Sequence, residues 1–255
     1  MSATDKLPLK QRIALVTGAG KGLGRASALA LARAGADVAL VSRTRQELDA
    51  VAAEIRASGR LAISLPGDMT RSEQADAVVE AAVAEFGSID VLVHCVGRSL
   101  RKQILDYSDA DWREMIATNL DSAFFVCRAV GRQMRAQGRG VIVNVASAAG
   151  LRGRPNNAPY SSSKAAVINL SRALALEWAP YGIRVNILAP GRFLTPLTSE
   201  EMSDPQKYAA YIENVPLRRI GQPEELDEIV TWLASDASGF VTGSLIVIDG
   251  GQTLQ

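Results

Sequence analysis

Short apolar runs rich in Val, Ile and Leu alternate with longer segments of helical period along the chain. Ile13 to Thr17 is the first run, and it ends in the glycine cluster Gly18, Gly20, Gly22 and Gly24. An alanine- and leucine-rich helix follows to about Ala34 and breaks at Gly35. Val38 to Val41 then reads as strand, Gln46 to Ala57 as helix, and Leu61 to Leu65 as strand. Ser72 to Phe86 reads as helix and Val91 to Cys95 as strand. The spacing predicts one long helix from near Asp109 to Arg135, stopped at Gly138, before the strand Val141 to Val145. A helix from Tyr160 to Ala179, the strand Arg184 to Leu188, helix signals at Pro223 to Ala234 and the strand Leu245 to Ile248 complete the pattern. Only Pro190 to Gly221 shows no clear period, and loops of that length are usually lids or disordered segments.

Near-continuous apolar strands are expected where helices cover both faces of a sheet. Strands alternating with helices therefore predict an α/β fold, a doubly wound parallel sheet with right-handed crossovers. No repeat, low-complexity tract or linker interrupts the pattern, so residues 1–255 are expected to form a single domain.

Composition narrows the class. The chain is 47% hydrophobic and 22% charged, which is ordinary for a globular protein. A net charge of +1 offers no footprint for nucleic acid or an anionic membrane surface. No apolar run approaches the roughly 18 residues that a membrane span needs. Met1 to Gln11 is polar and mixed, without the apolar core of a secretory signal. Two cysteines, Cys95 and Cys127, with one histidine make neither a disulfide framework nor a zinc set. The expectation is a cytoplasmic enzyme or ligand-binding domain with no metal, no nucleic acid and no membrane partner.

The stretch Thr17-Gly-Ala-Gly-Lys-Gly-Leu-Gly24 lies between the first strand and the first helix. A loop there turns backbone N–H groups and a helix N-terminus toward a phosphate, and its glycines permit close backbone approach. The spacing is TGxxxGxG rather than GxGxxG, since Leu23 holds the sixth position.

The chain resembles the short-chain dehydrogenase/reductase family over nearly its whole length. The ordered set that carries the resemblance is the glycine motif, Asp68 after the third strand, Asn119 in the long helix, Ser147 after the fifth strand and Tyr160-Ser-Ser-Ser-Lys164. It continues with Pro190-Gly191 and Thr195, and ends in Val241-Thr-Gly-Ser-Leu-Ile-Val-Ile-Asp-Gly-Gly251. The resemblance implies a seven-stranded Rossmann-type sheet, a homotetramer and a nicotinamide cofactor. It implies cofactor contacts at Gly18, Gly20, Lys21, Gly22, Leu23, Gly24, Ser42, Arg43, Asp68, Met69, Gly97, Tyr160, Lys164, Pro190, Gly191, Phe193 and Thr195.

An acidic residue about 20 residues beyond the glycine loop would hold the ribose 2′-OH of NAD, whereas arginine there accommodates the 2′-phosphate of NADP. This chain has Ser42 where NAD-preferring relatives carry Asp, followed by Arg43; Asp37 is at the wrong end of the strand, and Glu47 and Asp49 fall in the next helix. Lys21 offers a second cation, so the cofactor is expected to be NADP(H).

Tyr160 and Lys164 are four apart and share one face of a helix. An adjacent ammonium is expected to lower the phenol's pKa, making it a usable proton donor or acceptor. The resemblance assigns the catalytic set: Tyr160 as general acid in reduction and base in oxidation, Lys164 to tune it and hold the ribose, Ser147 to orient substrate, and Asn119 to hold a relay water. One departure stands out: His94-Cys95-Val96-Gly97 occupies a place where the family usually shows Asn-Asn-Ala-Gly. His94 reads as a satisfied core group and Cys95 as a small packed apolar residue.

Segments expected to wall the substrate pocket hold Arg98, Arg101, Arg152, Arg154 and Arg192, with Glu200 and Glu201 as alternative partners for these charges. The substrate is expected to be a small carbonyl or alcohol bearing an anionic or strongly polar group. Two alternatives stay open. One is a 3-oxoacyl-carrier-protein reductase, which Pro216-Leu-Arg-Arg-Ile-Gly-Gln-Pro-Glu-Glu225 suggests, although Tyr181 stands where those enzymes often carry a basic residue. The other is a module that senses NADP(H) without turnover, against which the intact Ser-Tyr-Lys-Asn set argues.

Overall fold

The computed structural model describes residues 7–196 and 198–254. The side chains of Glu200 and Glu201, named above as partners for the arginines, lie outside the described residues. Seven parallel strands form one sheet in the order β3-β2-β1-β4-β5-β6-β7. They are β1 (Ile13–Thr17), β2 (Asp37–Ser42), β3 (Ala62–Pro66), β4 (Val91–His94), β5 (Gly140–Val145), β6 (Ile183–Pro190) and β7 (Leu245–Ile248). The helices between them are α1 (Gly22–Arg33), α2 (Arg45–Ala57), α3 (Ser72–Phe86), α4 (Asp109–Ile116), α5 (Ser122–Gln137), α6 (Ala158–Trp178), α7 (Ser199–Met202), α8 (Pro205–Ile212) and α9 (Asp227–Ala234). The doubly wound parallel α/β sheet expected from the sequence is thus what the chain forms.

Strand parity explains the two-sided core. Ala14, Val16, Val38 and Leu40 face a layer that includes Leu31, Val51, Ile55, Val230 and Leu233 from α1, α2 and α9. Their alternates Leu15, Ala39 and Val41 face Val78, Val79, Val126, Val130 and Leu174 from α3, α5 and α6. Each fully buried aliphatic side chain contributes about 1.5–3 kcal/mol of transfer free energy. A single polar substitution in β1 would therefore disturb one of the two layers directly.

Two sequence expectations need correction. The long helix is interrupted: a π-helical turn spans Ala117–Asp121 between α4 and α5. A wider turn inserts an extra residue without disturbing the apolar period on either side, so periodicity could not reveal it. The stretch from Pro190 to Gly221 is also not structureless, since it holds α7 and α8. Asp204 caps α8, its Oδ1 accepting from the N–H of Gln206 at 2.9 Å and of Lys207 at 3.2 Å, with Pro205 in the first turn. That Asp-Pro start signal stood in the sequence. Smaller shifts occur at strand ends, with Cys95 lying just beyond β4.

The strand order reverses direction between β1 and β4, and the carboxyl ends of β1, β4 and β5 open there into a cleft. This switch point is where open α/β sheets bind ligands. Among the described residues, no helix is long and apolar enough to cross a membrane.

Candidate active site

A cavity of about 780 Å³ occupies that cleft, and every residue expected to contact a cofactor lines it. Gly18 has φ +70°, and a Cβ there would stand 3.0 Å from the Cys95 carbonyl, so the close approach of the chain just beyond β1 to the chain just beyond β4 requires glycine. Helix α1 starts at Gly22 with no side-chain cap and no acidic residue in its first turn. Its leading N–H groups are therefore left to an anion. Thr195 stands opposite, 3.5 Å from where a Gly22 Cβ would be.

Ser42 and Arg43 form the rim at the end of β2, with Arg43 exposed. Lys21 Nζ is 3.4 Å from Glu47 Oε1, so the lysine meets an acid there. Asp68 braces a turn, its Oδ1 accepting from Thr70 N–H at 3.0 Å and from Thr70 Oγ1 at 2.8 Å. Met69 and Phe193 are buried walls at 3% and 4% exposure.

At the other end lie Ser147, Tyr160 and Lys164. Lys164 Nζ is buried and donates to Val145 O at 3.1 Å and Val96 O at 3.5 Å. Bonded to carbonyls rather than a carboxylate, its pKa is pushed down to about 8 by burial. The Tyr160 ring centroid is 6.0 Å from that ammonium. Burial drives the phenol's pKa up, offset in part by a hydrogen bond with Ser147 and by the charges of Arg101 and Arg154. The expected lowering by Lys164 is thus corrected: desolvation wins, and the phenol is held protonated.

Asn119 sits on the π-turn, fully buried, outside the cavity lining. Its Oδ1 accepts from Arg98 N–H at 2.8 Å and its Nδ2 donates to Arg98 O at 3.0 Å. The wide turn aims this amide at the segment after β4. Gly97 lies between the two groups, for its Cβ would stand 3.1 Å from Lys164 Nζ and 3.3 Å from Asn119 Oδ1.

His94 is the satisfied core group the sequence suggested. Its Nδ1 shares a hydrogen bond with Thr17 Oγ1 at 2.8 Å and its Nε2 with Ser122 Oγ at 3.3 Å. Burial, aided by the Lys164 charge, pushes its pKa down to about 3, so it is neutral. Cys95 lines the cleft, but burial pushes its thiol up to about 12, leaving it unreactive.

Arg98, Arg101, Arg154 and Arg192 line the cavity, whereas Arg152 does not. Arg98 forms an ion pair with Glu114 at the mouth. Sequence reasoning missed Glu47, Tyr211 and Gln252, all of which line the same cavity. Glu47 belongs to the helix after β2, as its position in the sequence indicates, and the first turn of that helix, α2, faces the glycine loop. Gln252 meets Arg154 across 98 residues of chain, and no local pattern signals such a contact.

The family model described as enoyl-(acyl carrier protein) reductase matches residues 18–253. Gluconate 5-dehydrogenase of Gluconobacter oxydans is 38% identical over 100% of this chain and 99% of its own length. Galactitol 2-dehydrogenase (L-tagatose-forming) of Cereibacter sphaeroides is 39% identical over 94% of each chain. Among solved structures, a gluconate 5-dehydrogenase from Burkholderia cenocepacia J2315 in complex with NADP and tartrate superposes with a TM-score of 0.94 at 36% identity, covering 100% of both chains.

Proposed function

The chain belongs to the short-chain dehydrogenase/reductase family, and from that membership we propose an NADP(H)-dependent oxidoreductase that interconverts a ketone and a secondary alcohol on a small polyhydroxylated compound. The observation that carries this reading is the single cavity that joins the glycine loop and Arg43 at one end to Ser147, Tyr160 and Lys164 at the other.

The residues present fit such a cofactor. The uncapped start of α1 and the cradle between Gly22 and Thr195 suit its pyrophosphate. Arg43 beside Ser42, with no acid in that position, suits a 2′-phosphate. Lys164 would hold the nicotinamide ribose, and Pro190, Gly191 and Phe193 would wall the ring. When bound, the reduced nicotinamide supplies a hydride to the carbonyl carbon.

The protein's own part is proton management. Ser147 donates a hydrogen bond to the substrate oxygen, and Tyr160 delivers its phenolic proton there as negative charge develops. A phenol kept protonated by burial is the correct form for a general acid. In oxidation the phenolate must form, and Lys164, Arg101 and Arg154 supply the positive field that stabilises it. Asn119 fixes the backbone at Arg98, two residues after Lys164's carbonyl partner Val96, and would steady the relay by which Tyr160 is reprotonated.

The test is NADPH consumption with a panel of ketoses, keto acids and carrier-linked 3-oxoacyl groups. Turnover dependent on Tyr160 supports the proposal, and nucleotide binding with no turnover on any member overturns it in favour of a sensing module. A carrier-linked substrate is the second reading, favoured by Arg135, whose guanidinium lies 4.5 Å over the Tyr181 ring and puts a cation where the sequence lacked one.

A homotetramer accompanies this reading. Exposed Trp112 and Phe124 near the α4–α5 face, and Leu176, Phe240 and Leu254 elsewhere, offer apolar surface for two-fold contacts. Light scattering giving the monomer mass of 27.1 kDa at micromolar concentration would refute it.

A further inference from the structure

Arg154 is held in place without being neutralised. Its Nη2 donates to Gln252 Oε1 at 2.6 Å, and the same oxygen accepts from the Tyr211 hydroxyl at 3.0 Å. Gln252 is 2% exposed, so the guanidinium is anchored to a fixed, uncharged acceptor. Arg154 Nε is buried and donates to no acceptor among the described residues. A half-buried cation is costly until an anion meets it. The surroundings increase that cost: burial and the charges of Arg152, Arg192 and Arg101 all lower its pKa from the usual value.

The position matters as much as the charge. Arg154, Tyr211 and Gln252 line the same cavity as Ser147 and Tyr160, and the Tyr160 phenol feels the Arg154 charge. Arg192 lies 4.2 Å over the Tyr211 ring and completes this wall. The region is therefore within electrostatic reach of the Tyr160 phenol. A purely structural arginine would gain most from a carboxylate of its own chain, whereas an amide partner orients the planar fork and leaves its charge available.

We propose that Arg154, oriented by Gln252 and Tyr211, binds a carboxylate of the substrate, so that the enzyme acts on a hydroxy or oxo carboxylic acid. This rests on the oxidoreductase reading and decides a question that relatives acting on gluconate and on galactitol leave open, the charge of the substrate. The carboxylate sits at Arg154 while the reacting carbon sits at Tyr160.

Calorimetric titration at fixed ionic strength tests the proposal, with and without NADP⁺, on the full chain. The probes are D-gluconate against D-glucitol, and cis-4-hydroxycyclohexanecarboxylate against its uncharged hydroxymethyl counterpart, with D-glucitol 6-phosphate as a third arm. At least one carboxylate is expected to bind on the order of tenfold or more tighter than its uncharged partner. Arg154→Met should remove that selectivity and leave the NADP⁺ affinity unchanged. Arg154→Lys should recover part of it, because charge returns without the planar fork. Gln252→Leu should weaken carboxylate binding in the same direction by releasing the guanidinium, which keeps the test independent of one variant's folding. Equal binding within both pairs, tightest binding of the phosphate, or selectivity that survives Arg154→Met overturns the proposal. Carboxylate selectivity with no NADP⁺ binding would instead overturn the cofactor reading and leave this one standing.

Discussion

Glu47 Oε1 lies 3.4 Å from Lys21 Nζ at the rim of the nucleotide cleft, and a Cβ on Gly20 would stand 2.7 Å from the other carboxylate oxygen. The cation expected to help bind a 2′-phosphate is thus already engaged, which leaves Arg43 as the main discriminator. Arg43→Ala should raise KM for NADPH roughly 10- to 100-fold, the worth of a charge-assisted hydrogen bond, with little change for NADH. Glu47→Gln should do the reverse on a smaller scale, improving NADPH by about two- to fivefold, since exposed pairs are weak. Steady-state kinetics with both nucleotides decide this; equal or better kcat/KM with NADH in the wild type would show that Arg43 does not read the phosphate.

Tyr160→Phe should lower kcat by about 10²- to 10⁴-fold while NADPH affinity stays near that of the wild type. The raised phenol pKa also fixes a direction of pH dependence. Reduction needs the protonated form and should be sustained through neutral pH, whereas oxidation should climb as pH rises toward that pKa. Opposed pH profiles for the two directions, both abolished by Tyr160→Phe, are the expected result; parallel profiles would exclude the phenol as the titrating group.

The alternation of strands and helices, the glycine loop and the shared helix face of Tyr160 and Lys164 were legible because each rests on local chemistry. Parity within β1 and β2, glycine before α1, and four-residue spacing on α6 all act over a few residues. The π-turn at Asn119 was not legible, because a one-residue insertion preserves the apolar face on both sides. The partnership of Arg154 with Gln252 was invisible for the opposite reason, since only the folded sheet brings the last segment of the chain to the pocket. The Tyr160 pKa shifts opposite to the direction its spacing from Lys164 suggests, because spacing gives proximity to a charge but says nothing of burial.

Gly97→Ala should cost activity more than stability. The added methyl would stand 3.1 Å from Lys164 Nζ and 3.3 Å from Asn119 Oδ1, so one of these must yield by a few tenths of an ångström. Both hold the floor of the reaction end, and small displacements there reduce rate steeply. A fall in kcat on the order of tenfold with an almost unchanged melting temperature is expected. Retention of full kcat would show that the two side chains move without consequence.

His94 gives the fold a defined response to acid. Its pKa is about 3 in the folded chain against the usual 6.5 of an exposed histidine, because burial and the Lys164 charge disfavour the imidazolium. Between these values the unfolded chain binds the proton and the folded chain does not. Stability from this group is therefore fully present above pH 6.5, and it is lost as pH falls toward 3. The slope through that window is at most about 1.4 kcal/mol per pH unit for one proton. Thr17 and Ser122 bond the two ring nitrogens, so protonation would also force one hydroxyl to give up its role as donor. His94→Asn removes the titrating group and should flatten the curve, although its stability at pH 7 should be lower for loss of one of these bonds. Urea midpoints of both proteins from pH 7 to pH 4 measure the difference. Carboxylates shared by the two chains cancel in that comparison, so parallel curves would mean that His94 takes up its proton in the folded state.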